Sequence, residues 1–181
     1  MTLPADLLSP KDAVPVAHDR PVAKPPRPSA RHWIPIRSLT ERHRPRILVH
    51  LMALPEEDRY LRFGYAASDA QIARYADTID FAQDDVFGIF NRRLELIALA
   101  HLAGLADARE AEFGVSVLPK ARARGYGARL FDHAVLHARN RGVDTLLIHA
   151  LSENSAMLRI ARNAGASVER DGGESLARLR L

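Results

Sequence analysis

The feature that most constrains this chain is a basic loop joining a predicted strand, Glu112–Val117, to a predicted helix, Gly127–Arg141. The loop contains Gly125 and Gly127 and no acidic residue. Glycines let backbone N–H groups converge, and a helix N-terminus adds partial positive charge. Four basic side chains in the same segment can pair with phosphates: Lys120, Arg122, Arg124 and Arg129. The segment therefore predicts a polyphosphate site.

Two common nucleotide-binding motifs do not account for this loop. A Walker loop requires Gly-x4-Gly-Lys followed by Ser or Thr, and the sequence lacks that pattern. A Rossmann fingerprint requires a small residue where Leu130 stands, and its glycines follow the strand directly, whereas seven residues separate Val117 from Gly125. Asp144 follows the glycines at about the distance expected of an acidic ribose ligand, but it lies at the start of its strand rather than at the end. An ordinary glycine-rich turn with solvated arginines stays open as the alternative.

Apolar patterns on either side of the loop predict alternating strands and helices. Ser68–Gln71 is a capping box that opens a helix. Ser38–Glu41 looks like a second box, but Pro45 would lie inside the resulting helix, so that helix can instead begin near Pro45. Thr145–Ala150 is almost entirely apolar, which is typical of a central strand covered on both faces. The remaining predicted segments are strands at 33–36, 86–90, 94–103, 166–168 and 176–181 and a helix at 155–164.

The first 30 residues differ in composition from the rest of the chain. They hold seven of the eleven prolines, no glycine and no apolar periodicity, which predicts a Pro-rich, disordered N-terminal tail. Leu7-Leu8 is too short for the apolar region of a signal peptide, and no run of 18 apolar residues predicts a membrane span. Residues 31–181 form the predicted folded domain.

The pattern Arg122-x-x-Gly125-x-Gly127 resembles the acyl-CoA pyrophosphate loop of the GNAT superfamily of N-acyltransferases. In that family the loop joins the fourth strand to the third helix, and the predicted element order from Trp33 to Leu181 is similar to the family's. The resemblance implies an α/β (α+β) fold. Its central sheet would be mixed and largely antiparallel, with helices on both faces.

Shorter segments also carry the resemblance. Glu153–Leu158, followed by Gly165-Ala166, is similar to the family's second cofactor segment. Asp58–Phe63 and Ala111–Phe113 resemble the bacterial protein-lysine acetyltransferase branch.

The resemblance implies that acetyl-CoA, or another acyl-CoA, is a co-substrate bound largely by backbone groups. Backbone groups of Val115 and Val117 would pair with the pantetheine arm, N–H groups of residues 123–128 would hold the pyrophosphate, and Asn154 would bond near the amide arm. The expected cofactor-binding residues are Val115, Ser116, Val117, Arg122, Ala123, Arg124, Gly125, Tyr126, Gly127, Ala128 and Asn154.

Acyl transfer to an amine requires a neutral nucleophile, so an ammonium group must first lose a proton. Strand alternation puts Glu112 on the face opposite Phe113, and in the resembling branch a glutamate at this place is the general base. An ordinary solvated or salt-bridged glutamate is the alternative. Ala161 stands where many family members have a tyrosine acid. The sequence has no cysteine, which excludes an acyl-cysteine intermediate and favours direct transfer in a ternary complex.

The histidines are interpreted as structural. His133 and His137 have a spacing that can bind zinc, but no third ligand accompanies them, so a solvated helix face is preferred and no metal is expected. His101 and His149 lie in apolar strands and are expected to be hydrogen-bonded core residues. Arg59–Phe63 is expected to pack its aromatic rings and expose its arginines, with substrate recognition as the alternative.

The sequence therefore predicts an acetyl-CoA-dependent N-acyltransferase acting on a primary amine, either a protein lysine or a small molecule. The alternative is an acyl-CoA-binding regulatory module with little or no catalysis, prompted by Ala161. Five basic and three acidic residues between 1 and 31 supply +2 of the net charge of +4, so neither a nucleic acid nor a membrane is an expected partner. The lack of cysteine fits a cytoplasmic location.

Overall fold

The computed structural model describes residues 34–105 and 109–181, which form one mixed α/β unit. The proposed tail, residues 1–30, and Trp33 of the first predicted strand lie outside the described residues. The strands are β1 (Ile36–Leu39), β2 (Asp85–Phe90), β3 (Leu96–Gly104), β4 (Glu110–Val117), β5 (Thr145–Leu151), β6 (Ser167–Asp171) and β7 (Glu174–Arg180). The α-helices are α1 (Arg44–Met52), α2 (Glu56–Phe63), α3 (Asp69–Thr78), α4 (Tyr126–Asn140) and α5 (Ser155–Asn163).

The strands form one sheet in the order β1-β2-β3-β4-β5-β7-β6. Neighbouring strands are antiparallel except for β4 and β5, which are parallel. The parallel pair follows from the connection between the two strands, since α4 lies between them in the chain and returns it to the same end of the sheet. The predicted mixed, largely antiparallel sheet is confirmed.

Helices pack on both faces of the sheet, as predicted. Residues of α4 and α5 share one core with the sheet, in which Phe113 of β4 meets Phe131 of α4 edge-on at 5.1 Å between ring centroids. Residues of α1 and α3, among them Ile47 and Ile72, form a second core on the opposite face. Each fully buried aliphatic or aromatic side chain contributes about 1.5–3 kcal/mol. Both faces of the sheet are therefore covered by helices.

The helix starts contradict one prediction, the capping box at Ser38, and confirm two, the start near Pro45 and the capping box at Ser68. Thr40, not Ser38, caps the first turn, because its N–H donates to His43 Nδ1 at 3.0 Å. The α-helix then begins at Arg44 with Pro45 in its first turn, where a missing N–H costs nothing. Ser68 caps α3 as predicted: its Oγ accepts from the Gln71 N–H, and the Gln71 side chain accepts from the Ser68 N–H at 2.9 Å.

Helix α2 was not predicted. The expectation for Arg59–Phe63 within it is correct for the Phe63 ring, which packs against the second core, and wrong for Tyr60 and Arg59. Tyr60 is 40% exposed, whereas Arg59 is engaged with the protein. The Arg59 guanidinium donates to the carbonyls of Met52 at 2.7 Å and Leu54 at 3.0 Å, closing the end of α1. The arginine points inward because the last carbonyls of a helix have no N–H partner within the helix and accept hydrogen bonds from other donors.

The C-terminal half follows the prediction closely. Gly165 adopts φ +91° after α5, which is the left-handed conformation expected of a helix-ending glycine. Strand β6 runs to Asp171, three residues beyond its predicted end at Val168. None of the helices in the described ranges is long and apolar enough to cross a membrane.

Candidate active site

A cleft opens where the parallel strands β4 and β5 separate. Their register ends at Glu112, opposite Leu147. Beyond that point residues 114–117 of β4 and 148–151 of β5 line a cleft of about 1230 Å³. Pockets for a single small molecule usually measure about 300–1,000 Å³, so this cleft is larger than most such sites.

The N-terminus of α4 borders this cleft. Ala123 and Gly125, just before the helix, adopt φ of +59° and +73°. Left-handed backbone costs a non-glycine residue about 1–2 kcal/mol, and such turns form concavities lined by N–H groups. Gly125 is the residue that precedes the helix and offers no side-chain acceptor to the first turn. The first N–H groups of α4 are therefore left for a ligand, and they favour an anion.

Gly127 shows that the cleft keeps space beside this turn. A Cβ at that position would meet Ile160 Cδ1 at 3.6 Å and Val117 Cγ2 at 3.9 Å, which are ordinary contact distances. The protein itself therefore does not require glycine there. Gly127 lines the cleft, and its missing side chain lets a ligand approach the backbone. The loop fits the pyrophosphate role that the sequence predicted.

Arg122 lines the cleft and pairs with another element across it. Its guanidinium forms an ion pair with Asp58 of α2, and its Nε donates to the Val117 carbonyl at 3.4 Å. The second carboxylate oxygen of Asp58 is buried and has no hydrogen-bond partner among the described residues. Arg122 therefore connects the basic loop to α2.

The other three cations of the loop do not line the cleft. Lys120 and Arg124 are exposed beside it. Arg129 is turned away and donates to the Ile34 carbonyl at 2.9 Å, so its predicted phosphate contact is wrong. Arg159 of α5, which sequence reasoning missed, does line the cleft.

The remaining predicted cofactor residues all line the cleft, but their side chains make different contacts. Val115, Val117, Ala128 and Tyr126 line the cleft, and the Tyr126 ring also packs into the core. Ser116 lines it too, but its hydroxyl lies 2.8 Å from His50 Nε2 on the buried side, so it offers the cleft only backbone.

Asn154, from the second predicted cofactor segment, caps α5. Its Oδ1 accepts from the Met157 N–H at 3.1 Å, and its Nδ2 donates to the Leu61 carbonyl of α2 at 3.4 Å. The residue lines the cleft. Its amide N–H₂ is the group that a ligand carbonyl would approach.

Glu112 lies at the point where β4 leaves β5, half-buried and in the wall of the cleft. Phe113 faces the α4 core, so alternation puts Glu112 on the opposite face of β4, as predicted. Glu112 therefore lines the cleft at the point where the two strands separate.

On the same face, four side chains from separate elements form a polar chain. Arg62 Nη2 donates to the Tyr75 hydroxyl at 2.7 Å, and that hydroxyl lies 2.6 Å from His101 Nδ1. His101 Nε2 lies 3.0 Å from Asp84 Oδ2. Gly114 makes room, since a side chain there would collide with the Arg62 guanidinium. Sequence reasoning missed this cluster, although it correctly predicted a hydrogen-bonded, buried His101.

Burial lowers the pKa of His101, and the nearby Arg62 charge lowers it further, while Asp84 and Glu112 oppose the shift. Its ring is therefore neutral at pH 7. His50, 1% exposed, lies farther along the same face, with Nδ1 2.8 Å from the Leu96 carbonyl. Burial lowers the pKa of His50 to about 4.

Two of the histidine expectations are wrong. His149 is exposed and lines the cleft rather than the core, because β5 has no neighbour on that side beyond Leu147. His133 and His137 pack edge-on against Phe87 at 4.6 and 5.2 Å rather than facing solvent freely. His137 Nε2 also lies 3.0 Å from Asp85 Oδ1. Within residues 34–105 and 109–181, no group of three potential metal ligands is found.

A family model described as an acetyltransferase (GNAT) domain matches residues 34–167. No curated protein matches the sequence.

Solved structures share the fold over most of their length. The GNAT domain of S. lividans PAT has a TM-score of 0.68 at 23% identity, over 81% of this chain and 89% of that one. The PaiA N-acetyltransferase of Thermoplasma acidophilum in complex with coenzyme A has a TM-score of 0.63 at 16% identity, over 82% and 99%. The spermidine N-acetyltransferase of Vibrio cholerae in complex with CoA and spermine has a TM-score of 0.62 at 17% identity, over 82% of this chain and 94% of that one.

Proposed function

The chain belongs to the acetyltransferase (GNAT) family, and we propose that it moves an acetyl group from acetyl-CoA to a primary amine by direct transfer in a ternary complex. One observation carries the proposal: the cleft between β4 and β5 has a helix N-terminus without a side-chain cap at one side and Glu112 at the point of strand separation.

We name the two sides of the cleft by the substrates proposed for them. At the cofactor end, N–H groups of residues 123–128 hold the pyrophosphate, and the exposed backbone of Val115 and Val117 pairs with the pantetheine arm. This proposal is supported by the left-handed turns before α4 and by the absence of a β5 partner for that part of β4. Asn154 contributes its amide at the same end.

The acceptor end is proposed on the side of α2 and the β6–β7 hairpin. The hairpin residues that line the cleft include three carboxylates and one guanidinium: Glu169, Asp171, Glu174 and Arg170. This charge balance favours a cationic acceptor, because exposed carboxylates attract ammonium groups over about a Debye length. A protein lysine and a small polyamine are both cationic acceptors of this kind.

The proposed chemistry begins when Glu112 takes a proton from the acceptor ammonium. The neutral nitrogen attacks the thioester carbonyl, so that an N–C bond forms, the C–S bond breaks and CoA leaves as a thiolate. Ala161 is completely buried in the α5 core and supplies no acid to that thiolate. A positioned general base contributes about 10²–10⁴-fold to such a reaction.

The test combines binding and turnover. Acetyl-CoA is expected to raise the Tm of the full chain and to release CoA thiol when either spermine or a lysine-rich peptide is added, with the acetylated product found by mass spectrometry. Glu112→Gln should lower turnover by about 100-fold or more and leave the acetyl-CoA thermal shift unchanged.

The matched control is Glu110→Gln, because Glu110 lies on the same face of β4 but outside the cleft lining. If Glu112→Gln turns over as fast as Glu110→Gln, Glu112 is not the base. Binding of acetyl-CoA with no CoA release from either amine would instead favour the acyl-CoA-binding regulatory module, for which the buried Ala161 is the supporting observation.

A further inference from the structure

We propose that the Tyr75 hydroxyl is a second proton acceptor at the acceptor end, and that His101 and Asp84 position it and take up the proton. The inference rests on the proposed function. Tyr75 lines the same cleft as Glu112 and is hydrogen-bonded on its inner side to a buried histidine.

The need for a second acceptor follows from counting protons. A primary ammonium has three N–H bonds and the amide product has one, so two protons leave the nitrogen in each cycle. Glu112 accommodates one. The buried Ala161 supplies no group that would exchange the other with the leaving sulfur.

The hydrogen-bond directions along the cluster are set by residue chemistry. A guanidinium only donates, so the Tyr75 hydroxyl accepts from Arg62. His101 Nε2 makes no aligned hydrogen bond among the described residues, but it lies 3.0 Å from the Asp84 carboxylate, which only accepts. We therefore assign the hydrogen of the neutral ring to Nε2, and Nδ1 accepts from Tyr75. One lone pair of the Tyr75 oxygen then stays available, and this atom can accept from a substrate N–H but has no hydrogen left to give to a thiolate.

The sheet register brings this cluster next to Glu112. His101 lies opposite Gly114 and Ala103 lies opposite Glu112 in the antiparallel β3–β4 pair. Opposed residues share a face, and same-face neighbours along a strand are about 6.6–6.8 Å apart. Because Gly114 has no side chain, the Arg62 guanidinium, which donates to the Tyr75 hydroxyl, can occupy the space beside it.

The charges that face His101 permit it to receive a proton. Asp84 and Glu112 favour the imidazolium, whereas burial and Arg62 favour the neutral ring, which lowers the pKa. The Tyr75 hydroxyl contacts the other ring nitrogen. A ring that is neutral at rest and lies beside a carboxylate is suited to transient protonation.

The proposed step is balanced as follows. An N–H bond of the attacking nitrogen breaks and its proton binds the Tyr75 oxygen, while the original hydroxyl proton moves to His101 Nδ1. The imidazolium is stabilised by the nearby charge of Asp84, whose side chain is 12% exposed. After product leaves, the Nδ1 proton returns to the Tyr75 oxygen and the proton taken from the substrate passes from that oxygen to water in the cleft, which restores the starting hydrogen positions.

The test is the pH profile of Tyr75→Phe with acetyl-CoA and the better of spermine and the lysine-rich peptide. The phenyl ring keeps the edge-on contact with Phe63 at 5.2 Å and removes only the hydroxyl. We expect kcat to fall by about 10–100-fold at pH 7, with the KM for acetyl-CoA unchanged. The part of the acidic limb that belongs to His101 should disappear.

Tyr60→Phe is the matched control, since Tyr60 is exposed and outside the cluster. Asp84→Asn is the second variant, expected to keep the contact to His101 but to move the acidic limb to lower pH by removing the charge that stabilises the imidazolium. A loss of kcat in Tyr75→Phe with an unmoved pH profile, or profiles of both variants that match wild type, would overturn the inference. A wild-type protein that transfers to neither amine would contradict the proposed function itself.

Discussion

At the cofactor end of the cleft the proposed ligands are mostly backbone groups of residues 115–128, whereas the groups proposed to handle protons at the acceptor end are side chains from five separate elements. Those side chains are Arg62 of α2, Tyr75 of α3, Asp84 from the segment before β2, His101 of β3 and Glu112 of β4. A backbone site depends on local conformation and tolerates most changes of side chain. A side-chain site depends on individual atoms and on the tertiary fold that brings them together.

The largest expected effect concerns His50, which is buried on the same face of the sheet as the polar cluster. His50 contacts the Leu96 carbonyl and the Ser116 hydroxyl while buried, and its pKa falls from 6.5 to about 4. Because the folded pKa is lower than the unfolded one, the unfolded state binds more protons between these values, so stability falls as pH falls from about 6.5 to 4. A pKa unit is worth about 1.4 kcal/mol, which gives about 3 kcal/mol at pH 4.

Urea unfolding at pH 7 and pH 4.5 measures this effect. His50→Gln should reduce the free energy of unfolding at pH 7 and flatten its decrease toward pH 4.5, compared with wild type. The lowered pKa values of His43, His101 and His133 act in the same direction and supply the slope that remains. An unchanged slope in His50→Gln would mean that His50 does not support this face through its neutral form.

The next prediction separates backbone conformation from ligand space at the cofactor end. Gly125→Ala places a side chain at φ +73° and should cost about 1–2 kcal/mol of stability. Gly127→Ala adds a methyl at ordinary contact distances in the first turn of α4, and alanine in a helix is favoured by up to about 1 kcal/mol. We expect its Tm to hold or rise while the KM for acetyl-CoA increases about tenfold, or 1.4 kcal/mol.

Thermal melts and acetyl-CoA kinetics of both variants check this pair. If Gly127→Ala bound acetyl-CoA as wild type does, the ligand would not approach that backbone, and the backbone character of the cofactor end would be refuted.

A smaller effect is expected from the β6–β7 hairpin. The double variant Asp171→Asn/Glu174→Gln removes two exposed carboxylates from the cleft wall. Exposed charges interact by about 0.2–1 kcal/mol each, so the KM for spermine should rise about two- to tenfold, and less at high salt. Asp132→Asn, on the exposed side of α4, is the control. If the double variant and Asp132→Asn changed the KM for spermine equally, the hairpin would not be part of the acceptor end.

The same contrast explains what the sequence could predict. Residues 117–130 are contiguous, and their glycines indicate a local conformation, so the turn before α4 at the proposed cofactor end could be predicted. The acidic first turn of α2 and Gly64 after it were usable signals, but the helix has only eight residues and too few turns to show an apolar period.

The polar cluster could not be read from the sequence in the same way. Tyr75 and His101 meet only because α3 packs on the face of β3 where Gly114 leaves a gap, and nothing in the spacing of these residues indicates that contact. His149 was misplaced for a related reason. Its strand is apolar throughout, and the sequence does not show that β4 and β5 separate before reaching it.

The smallest expected effect comes from the exposed cations of the loop, and it bears most directly on the comparison. Lys120 and Arg124 lie beside the cleft without lining it, so they would attract the anionic cofactor through solvent rather than by contact. Lys120→Ala and Arg124→Ala should each raise the KM for acetyl-CoA by less than about threefold, and the difference should vanish at high salt because screening removes such interactions. A tenfold increase that persists at 0.5 M salt would instead indicate a direct phosphate contact, and the cofactor end would then depend on particular side chains as the acceptor end does.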